Sequence, residues 1–139
     1  MIKKILVPID GSDAARKALE YAIDLAKQTE ASLILLNVID PPSPLYIALL
    51  GNLENNIRQI AEAYVAEAEG LCNSQGVESQ KIIRTGHPVD EIIKAAEELH
   101  ADLIVMGSRG KSALGSALVG SVTMGVVYMK TTFPVLVVR

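Results

Sequence analysis

Two kinds of hydrophobic pattern alternate along the chain. Short, continuous apolar runs are typical of strands that are covered on both faces of a sheet, and such runs occupy residues 5–9, 32–39, 103–106 and 134–138. Between the runs, apolar residues recur every three or four positions, which is typical of helices with one buried face. Helices are predicted at residues 15–26, 57–71 and 89–99, and from 121 to about 130.

A fifth strand is predicted at residues 80–84, where mixed polar and apolar residues suit a sheet edge. The prolines at positions 41, 42 and 44 argue against a continued strand or helix, so the stretch from Pro41 to Leu50 is predicted to be an irregular connection. Strands that alternate with helices imply right-handed crossovers and a parallel sheet. The predicted fold is α/β, a single doubly wound, Rossmann-like domain over residues 1–139 with four flanking helices. Ligands bind such sheets beyond the carboxyl ends of the strands.

Composition restricts the classes of function. Of the 139 residues, 50% are hydrophobic and 21% are charged, and the formal net charge is -3. This balance excludes a disordered chain and argues against sequence-general binding of nucleic acid. The single cysteine, Cys72, excludes an internal disulfide and a cysteine-cluster metal site, so a cytoplasmic location is predicted. The longest uncharged apolar stretch, 113–129, falls short of the roughly 20 residues of a bilayer span, so no membrane crossing is predicted.

Two glycine-containing segments are candidates for binding phosphate. Gly107-Ser108-Arg109-Gly110 follows the fourth strand, and Gly120-Ser121-Val122-Thr123 opens the last helix. Glycine permits positive φ and close approach of a phosphate, and a helix N-terminus offers free N–H groups. The spacing does not match a P-loop, which needs a glycine where Val105 stands. It does not match the dinucleotide fingerprint either, because the first strand is followed by Asp10-Gly11-Ser12-Asp13.

The spacing Gly107-x2-Gly110-x9-Gly120-Ser121 resembles the nucleotide-binding signature of the ATP-binding branch of the universal stress protein family. The resemblance covers the whole chain, through the segments 5–12, 36–40, 86–88 and 134–138. It implies a five-stranded sheet of order 3-2-1-4-5 that binds ATP and a divalent cation, Mg²⁺ or Mn²⁺, where the strand order reverses. It also implies a nucleotide-dependent regulator or sensor of the stress response that forms homodimers through the last strand.

The resemblance assigns a role to each residue of the expected site. Residues that would lie beside or beneath the adenosine are Pro8, Ile9, Asp10 and Met106, and Val38 would meet the adenine through its backbone. Residues that would wrap the ribose and the phosphates are Gly107, Arg109 and Gly110. Residues that would hold the phosphate tail are Gly120, Ser121, Val122 and Thr123. The residues that would hold the cation are left open.

Taken alone, these residues also permit plainer roles. The glycines suit close helix–sheet packing, and Asp10 suits an Asx turn into the first helix. Ser121 and Thr123 suit a helix cap, while Arg109 and Lys111 suit loop charges. Three apolar residues of the proline-rich connection suit a lid over the nucleotide, a partner contact or a plain surface loop, and they are Tyr46, Leu49 and Leu50.

An enzyme is the alternative function: a slow ATP hydrolase, or another nucleotide-processing enzyme at the same site. Hydrolysis requires a positioned base and an activated water. Asp10, Asp13 and His87 are the candidate bases, and nothing in the sequence places them at a γ-phosphate.

The last strand independently predicts self-association. Val135-Leu136-Val137-Val138 is uncharged and apolar, whereas monomeric proteins usually protect an exposed edge with lysine, a bulge or a covering helix. Pairing with a second copy about a two-fold axis satisfies the free backbone groups of such an edge. A homodimer through this strand is therefore predicted.

Overall fold

Five parallel strands and five helices make up the part of the chain that the computed structural model describes, residues 1–51, 53–109, 119–129 and 132–139, without the side chains of residues 53 and 54. The strands are β1 (Lys4–Pro8), β2 (Ser32–Ile39), β3 (Ser79–Thr85), β4 (Leu103–Gly107) and β5 (Val135–Val138). The helices are α1 (Asp13–Thr29), α2 (Pro44–Leu50), α3 (Leu53–Ser74), α4 (Pro88–Glu98) and α5 (Ser121–Tyr128). The strand order is β3-β2-β1-β4-β5, which confirms the expected doubly wound α/β fold.

Side-chain alternation along the central strands builds a core on each face of the sheet. Ile5 and Val7 of β1 point to the face covered by α1 and α3, whereas Leu6 points to the face covered by α4 and α5. Cys72 of α3 is fully buried in the first core, and burial raises the pKa of its thiol. The thiol therefore packs as an apolar group. Within the described residues, no helix has the length and apolarity needed to cross a bilayer.

The irregular connection predicted between residues 41 and 50 is wrong from residue 44 onward, where the chain forms α2. Ser43 is the N-cap of this helix, and its Oγ accepts a hydrogen bond from the N–H of Tyr46 at 3.2 Å. Pro44 lies in the first turn, where the N–H that proline lacks has no partner within the helix. The described residues therefore contain five helices rather than the four that were predicted.

Asp102 ties the amino end of β1 to the start of β4. Its Oδ2 accepts hydrogen bonds from the backbone N–H of Lys3 at 2.8 Å and of Lys4 at 3.0 Å. These two bonds, the Lys3 bond first, hold the pKa of the Asp102 carboxyl below its usual value. The stabilisation is complete above the unfolded-state pKa of about 3.9 and is lost as the pH falls through the lower folded-state pKa.

Replacing this carboxylate is therefore expected to remove a pH-dependent contribution to stability. Asp102→Asn keeps an acceptor oxygen without charge, and we expect it to lower the free energy of unfolding by about 1 kcal/mol at pH 7. As the pH falls below the folded-state pKa of Asp102, the wild type and the variant should converge. Urea unfolding of both proteins between pH 2 and pH 7 measures this, and parallel curves over the whole range would contradict it.

Candidate functional site

A cleft opens at the carboxyl edge of the sheet, between β1 and β4. The ladder between these strands contains only the pairs Ile5 with Leu103 and Leu6 with Ile104, whereas β1 and β2 stay paired from Lys4 to Pro8. The cleft has a volume of about 880 Å³ and lies where the strand order reverses. The predicted site residues that line it are Pro8, Ile9, Asp10, Val38, Met106, Gly107, Arg109, Gly120, Ser121, Val122 and Thr123. Gly110 and Lys111 lie outside the described residues.

The turn after β1 is held by its own side chains. One carboxylate oxygen of Asp10 accepts a hydrogen bond from the N–H of Ser12 at 2.9 Å, which is the Asx turn that the sequence left open. Ser12 then caps α1, because its Oγ accepts a hydrogen bond from the N–H of Ala15 at 3.1 Å. Gly11 has a φ of 80°, and a Cβ at this position would overlap the ring of Tyr64. Asp10 also lines the cleft in this arrangement, so the Asx turn is compatible with a contact between Asp10 and a ligand.

Backbone groups of Val38 point into the cleft. Neighbouring residues of a strand direct their N–H and C=O groups to opposite sides of the strand. In β2, the carbonyl oxygen of Leu36 accepts a hydrogen bond from the N–H of Ile9 on the β1 side, and that of Ile39 accepts one from the N–H of Gly86 on the β3 side. Val38 is two residues from Leu36 and therefore faces the β1 side, but β1 ends at Pro8. One donor and one acceptor of Val38 consequently lie past the end of β1.

Asn37 is a part of the site that the sequence analysis missed. Its side chain is buried in the wall of the cleft, and its Nδ2 donates a hydrogen bond to the carbonyl oxygen of Ile9 at 2.6 Å. The bond joins β2 to the turn that carries Asp10. A polar residue inside an otherwise apolar strand was the available signal, because buried amides require partners.

The start of α4 and the end of β2 add polar groups to the same wall. Asp40 and His87 both line the cleft, and Nδ1 of His87 lies 3.8 Å from Oδ2 of Asp90. Of the three candidate bases for hydrolysis, Asp10 and His87 border the cleft. Asp13 lines a separate groove between α1 and α3.

Hydrogen bonds fasten the N-terminus of α5 to the end of β4. The N–H of Gly120 donates to the carbonyl oxygen of Ser108 at 2.6 Å, and the N–H of Ser108 donates to that of Val138 at 2.8 Å. The hydroxyl of Thr123 is buried and donates to the carbonyl oxygen of Gly107 at 2.8 Å. The single hydroxyl proton of Thr123 is therefore already used within the protein. Ser121, the first residue of α5, is exposed.

Positive φ was the wrong reason for expecting glycine at positions 107 and 120. Gly120 has a φ of -72°, and Gly107 lies in β4 and is not among the glycines with positive φ. At Gly107 the requirement is space, since a Cβ would lie 2.7 Å from both the carbonyl carbon and the oxygen of Ala14 in α1. Close helix–sheet packing, the plainer interpretation, therefore explains Gly107.

Comparison with known proteins gives similarities along the whole chain. The sequence model of the universal stress protein family matches residues 1–139. Universal stress protein YxiE of Bacillus subtilis is 35% identical over an alignment of 149 positions, which covers 100% of both chains. The structure of protein MJ0577, from Methanocaldococcus jannaschii, has a TM-score of 0.85 and 36% identity, over 99% of this chain and 96% of its own. A universal stress protein in complex with cAMP has a TM-score of 0.75 and 28% identity, over 99% of this chain and 97% of its own.

Proposed function

Because the chain belongs to the universal stress protein family, we propose that it binds ATP in the cleft between β1 and β4 and acts as a nucleotide-dependent regulator or sensor in the stress response. One arrangement carries this proposal: the cleft has Val38, past the end of the β1–β2 ladder, at one end and the N-terminus of a helix at the other. The volume of about 880 Å³ lies in the range of small-molecule sites. The similarity to a family member in complex with cAMP also supports an adenine nucleotide as the ligand.

The adenine is proposed to lie at the β2 end of the cleft. The N–H and C=O of Val38 present one donor and one acceptor there, which complement the ring nitrogen and the amino group of adenine. Guanine presents a carbonyl oxygen where adenine has its amino group, so it does not complement the same pair. Pro8, Ile9 and Met106 supply apolar surface beside the ring, while Asp10 would lie beside the ribose.

The phosphates are proposed to lie at the α5 end of the cleft. The first backbone N–H groups of a helix have no partner within that helix and favour an anion. Ser121 and Val122 open α5 beside the cleft, and Arg109 adds positive charge. Thr123 is assigned here to holding Gly107 in place rather than to donating to phosphate.

The proposed cation, Mg²⁺ or Mn²⁺, would be held mainly by the phosphates. Within the described part of the chain, no group of three or more histidine, cysteine, aspartate or glutamate side chains is arranged to hold a metal. Mg²⁺ typically binds through one or two carboxylates together with substrate phosphates and water, so the residues present fit a nucleotide-borne cation.

A cytoplasmic location is proposed with this function and rests on the single cysteine.

Thermal unfolding with different nucleotides tests the proposed site. A ligand that binds only the folded state stabilises it by about 2.7 kcal/mol at 100 times its Kd. We expect ATP with Mg²⁺ to raise the melting temperature, and GTP with Mg²⁺ at the same concentration to raise it much less. Equal shifts for both nucleotides would contradict the role of Val38.

A homodimer through β5 is part of the proposal. β5 is the last strand of the sheet, paired on one side with β4, and its Leu136 is 40% exposed. Antiparallel pairing with a second β5 would satisfy the outer backbone groups and cover this apolar side chain.

Placing a charge on this edge is expected to dissociate the dimer. Val137→Lys introduces an ammonium group whose desolvation opposes pairing, so we expect at least a tenfold weaker dimer. Sedimentation at micromolar concentration measures the mass of both proteins. A wild type that sediments at the 14.9 kDa of one chain would contradict the dimer.

A further inference from the structure

Helix α2 contains no buried residue although most of its residues are apolar, and only its Ile47 is half-buried. Leu45 is 69% exposed, Tyr46 58%, Leu49 72% and Leu50 54%. The segment from 44 to 51 contains no charged side chain. A contiguous apolar surface of this kind is typical of a segment that is covered in another state of the protein.

The chain connectivity places α2 at the rim of the cleft. Asp40 lines the cleft, and only residues 41–43 separate it from α2, so the start of the helix lies within about 14 Å of the cleft wall. On its other side α2 leads into α3, which also begins at the carboxyl edge of the sheet. Ala61 is the first buried residue among the described side chains of α3, and residues 55–60, about 9 Å along the helix, precede it.

The carboxyl end of α2 has a conformation that suits a hinge. Gly51 follows the helix with a φ of 62° and a ψ of -112°, which a residue with a side chain rarely adopts. Pro41 and Pro42 precede the helix, and their fixed φ angles make this connection a stiff arm. Rotation at Gly51 and at the junctions of this arm would move α2 as a unit.

We propose that α2 is a lid that closes over the base of the nucleotide and buries Tyr46 and Leu49 against it. This inference rests on the proposed function, because it takes an adenine nucleotide as the occupant of the cleft. The lid is joined to β2, whose Val38 lies at the adenine end, and the phosphate end lies across the cleft at α5. An uncharged, apolar helix suits an aromatic base and not a triphosphate.

Matched tyrosine variants test the lid. Tyr46 and Tyr21 are both exposed helical residues, at 58% and 61%, and neither lines the cleft in this structure. Only Tyr46 lies on α2, whereas Tyr21 lies on α1. We expect Tyr46→Ala to weaken ATP binding about tenfold and Tyr21→Ala to leave it unchanged. Inorganic tripolyphosphate with Mg²⁺ lacks a base, so its affinity should be the same in both variants.

Hydrogen exchange of the wild type provides the second measurement. Saturating ATP with Mg²⁺ should slow exchange in the peptide that covers residues 41–51 at least fivefold, whereas tripolyphosphate should not. If ATP binds without slowing exchange in this peptide, and Tyr46→Ala binds ATP as tightly as the wild type, the lid is wrong and the nucleotide site stands. If ATP does not bind the wild type, the proposed function fails and the lid fails with it. Protection that rises with protein concentration in the absence of nucleotide would assign α2 to a contact between copies and overturn the lid.

Discussion

Gly120→Val is expected to weaken ATP binding by at least 100-fold while leaving the fold intact. Gly120 is the N-cap of α5 and lines the cleft at the proposed phosphate end. Its φ of -72° and ψ of 160° are accessible to valine, so the backbone does not need to change. Because Gly120 lines the cleft, we expect the branched side chain to occupy the space where the phosphates would meet the N–H groups of Ser121 and Val122.

Gly120→Ala provides a graded comparison, because its methyl group is smaller than the valine side chain and should cost less affinity. Calorimetric titration gives the affinities, and circular dichroism with thermal unfolding gives the state of the fold. Wild-type affinity in a folded Gly120→Val protein would assign Gly120 to packing alone.

Gly107→Ala is expected to have the opposite profile, with a loss of stability as the primary effect. A Cβ at this position would lie 2.7 Å from the carbonyl group of Ala14, a backbone atom pair that has no rotamer with which to avoid it. Either α1 or β4 must therefore shift, and we expect the free energy of unfolding to fall by about 2 kcal/mol.

Gly70→Ala is the matched control. Gly70 lies within α3, and a Cβ there would meet nothing within 4 Å. Alanine at this helical position should raise the free energy of unfolding by about 0.5 to 1 kcal/mol. Urea unfolding of both variants at pH 7 measures the difference. Equal effects at the two positions would contradict the packing argument for Gly107.

The strands were predictable because burial on both faces leaves a local pattern. β2 is an almost uninterrupted apolar run, and β3 has the mixed polarity of an edge strand. Strand order leaves no such pattern, since connections of similar length permit several orders, and it was available only through the family resemblance. Helix α2 was missed because three nearby prolines outweighed the cap at Ser43 and the tolerance of the first helical turn for Pro44.

The candidate site was predictable as a set of segments and less so as a set of contacts. The loops after β1 and β4 do meet at one cleft, as doubly wound sheets require. The role of Asn37 depends on Ile9, 28 positions earlier, and that of Gly107 depends on Ala14 across the packed layers. A single sequence does not state which distant backbone groups a buried amide or a glycine will meet.

Calorimetric titration of the wild-type protein with ATP in the presence of Mg²⁺ tests the central claim most directly. The cleft between β1 and β4 predicts a saturable binding event with one nucleotide per chain and a parallel rise in the melting temperature. No heat of binding and an unchanged melting temperature at millimolar ATP would contradict the account.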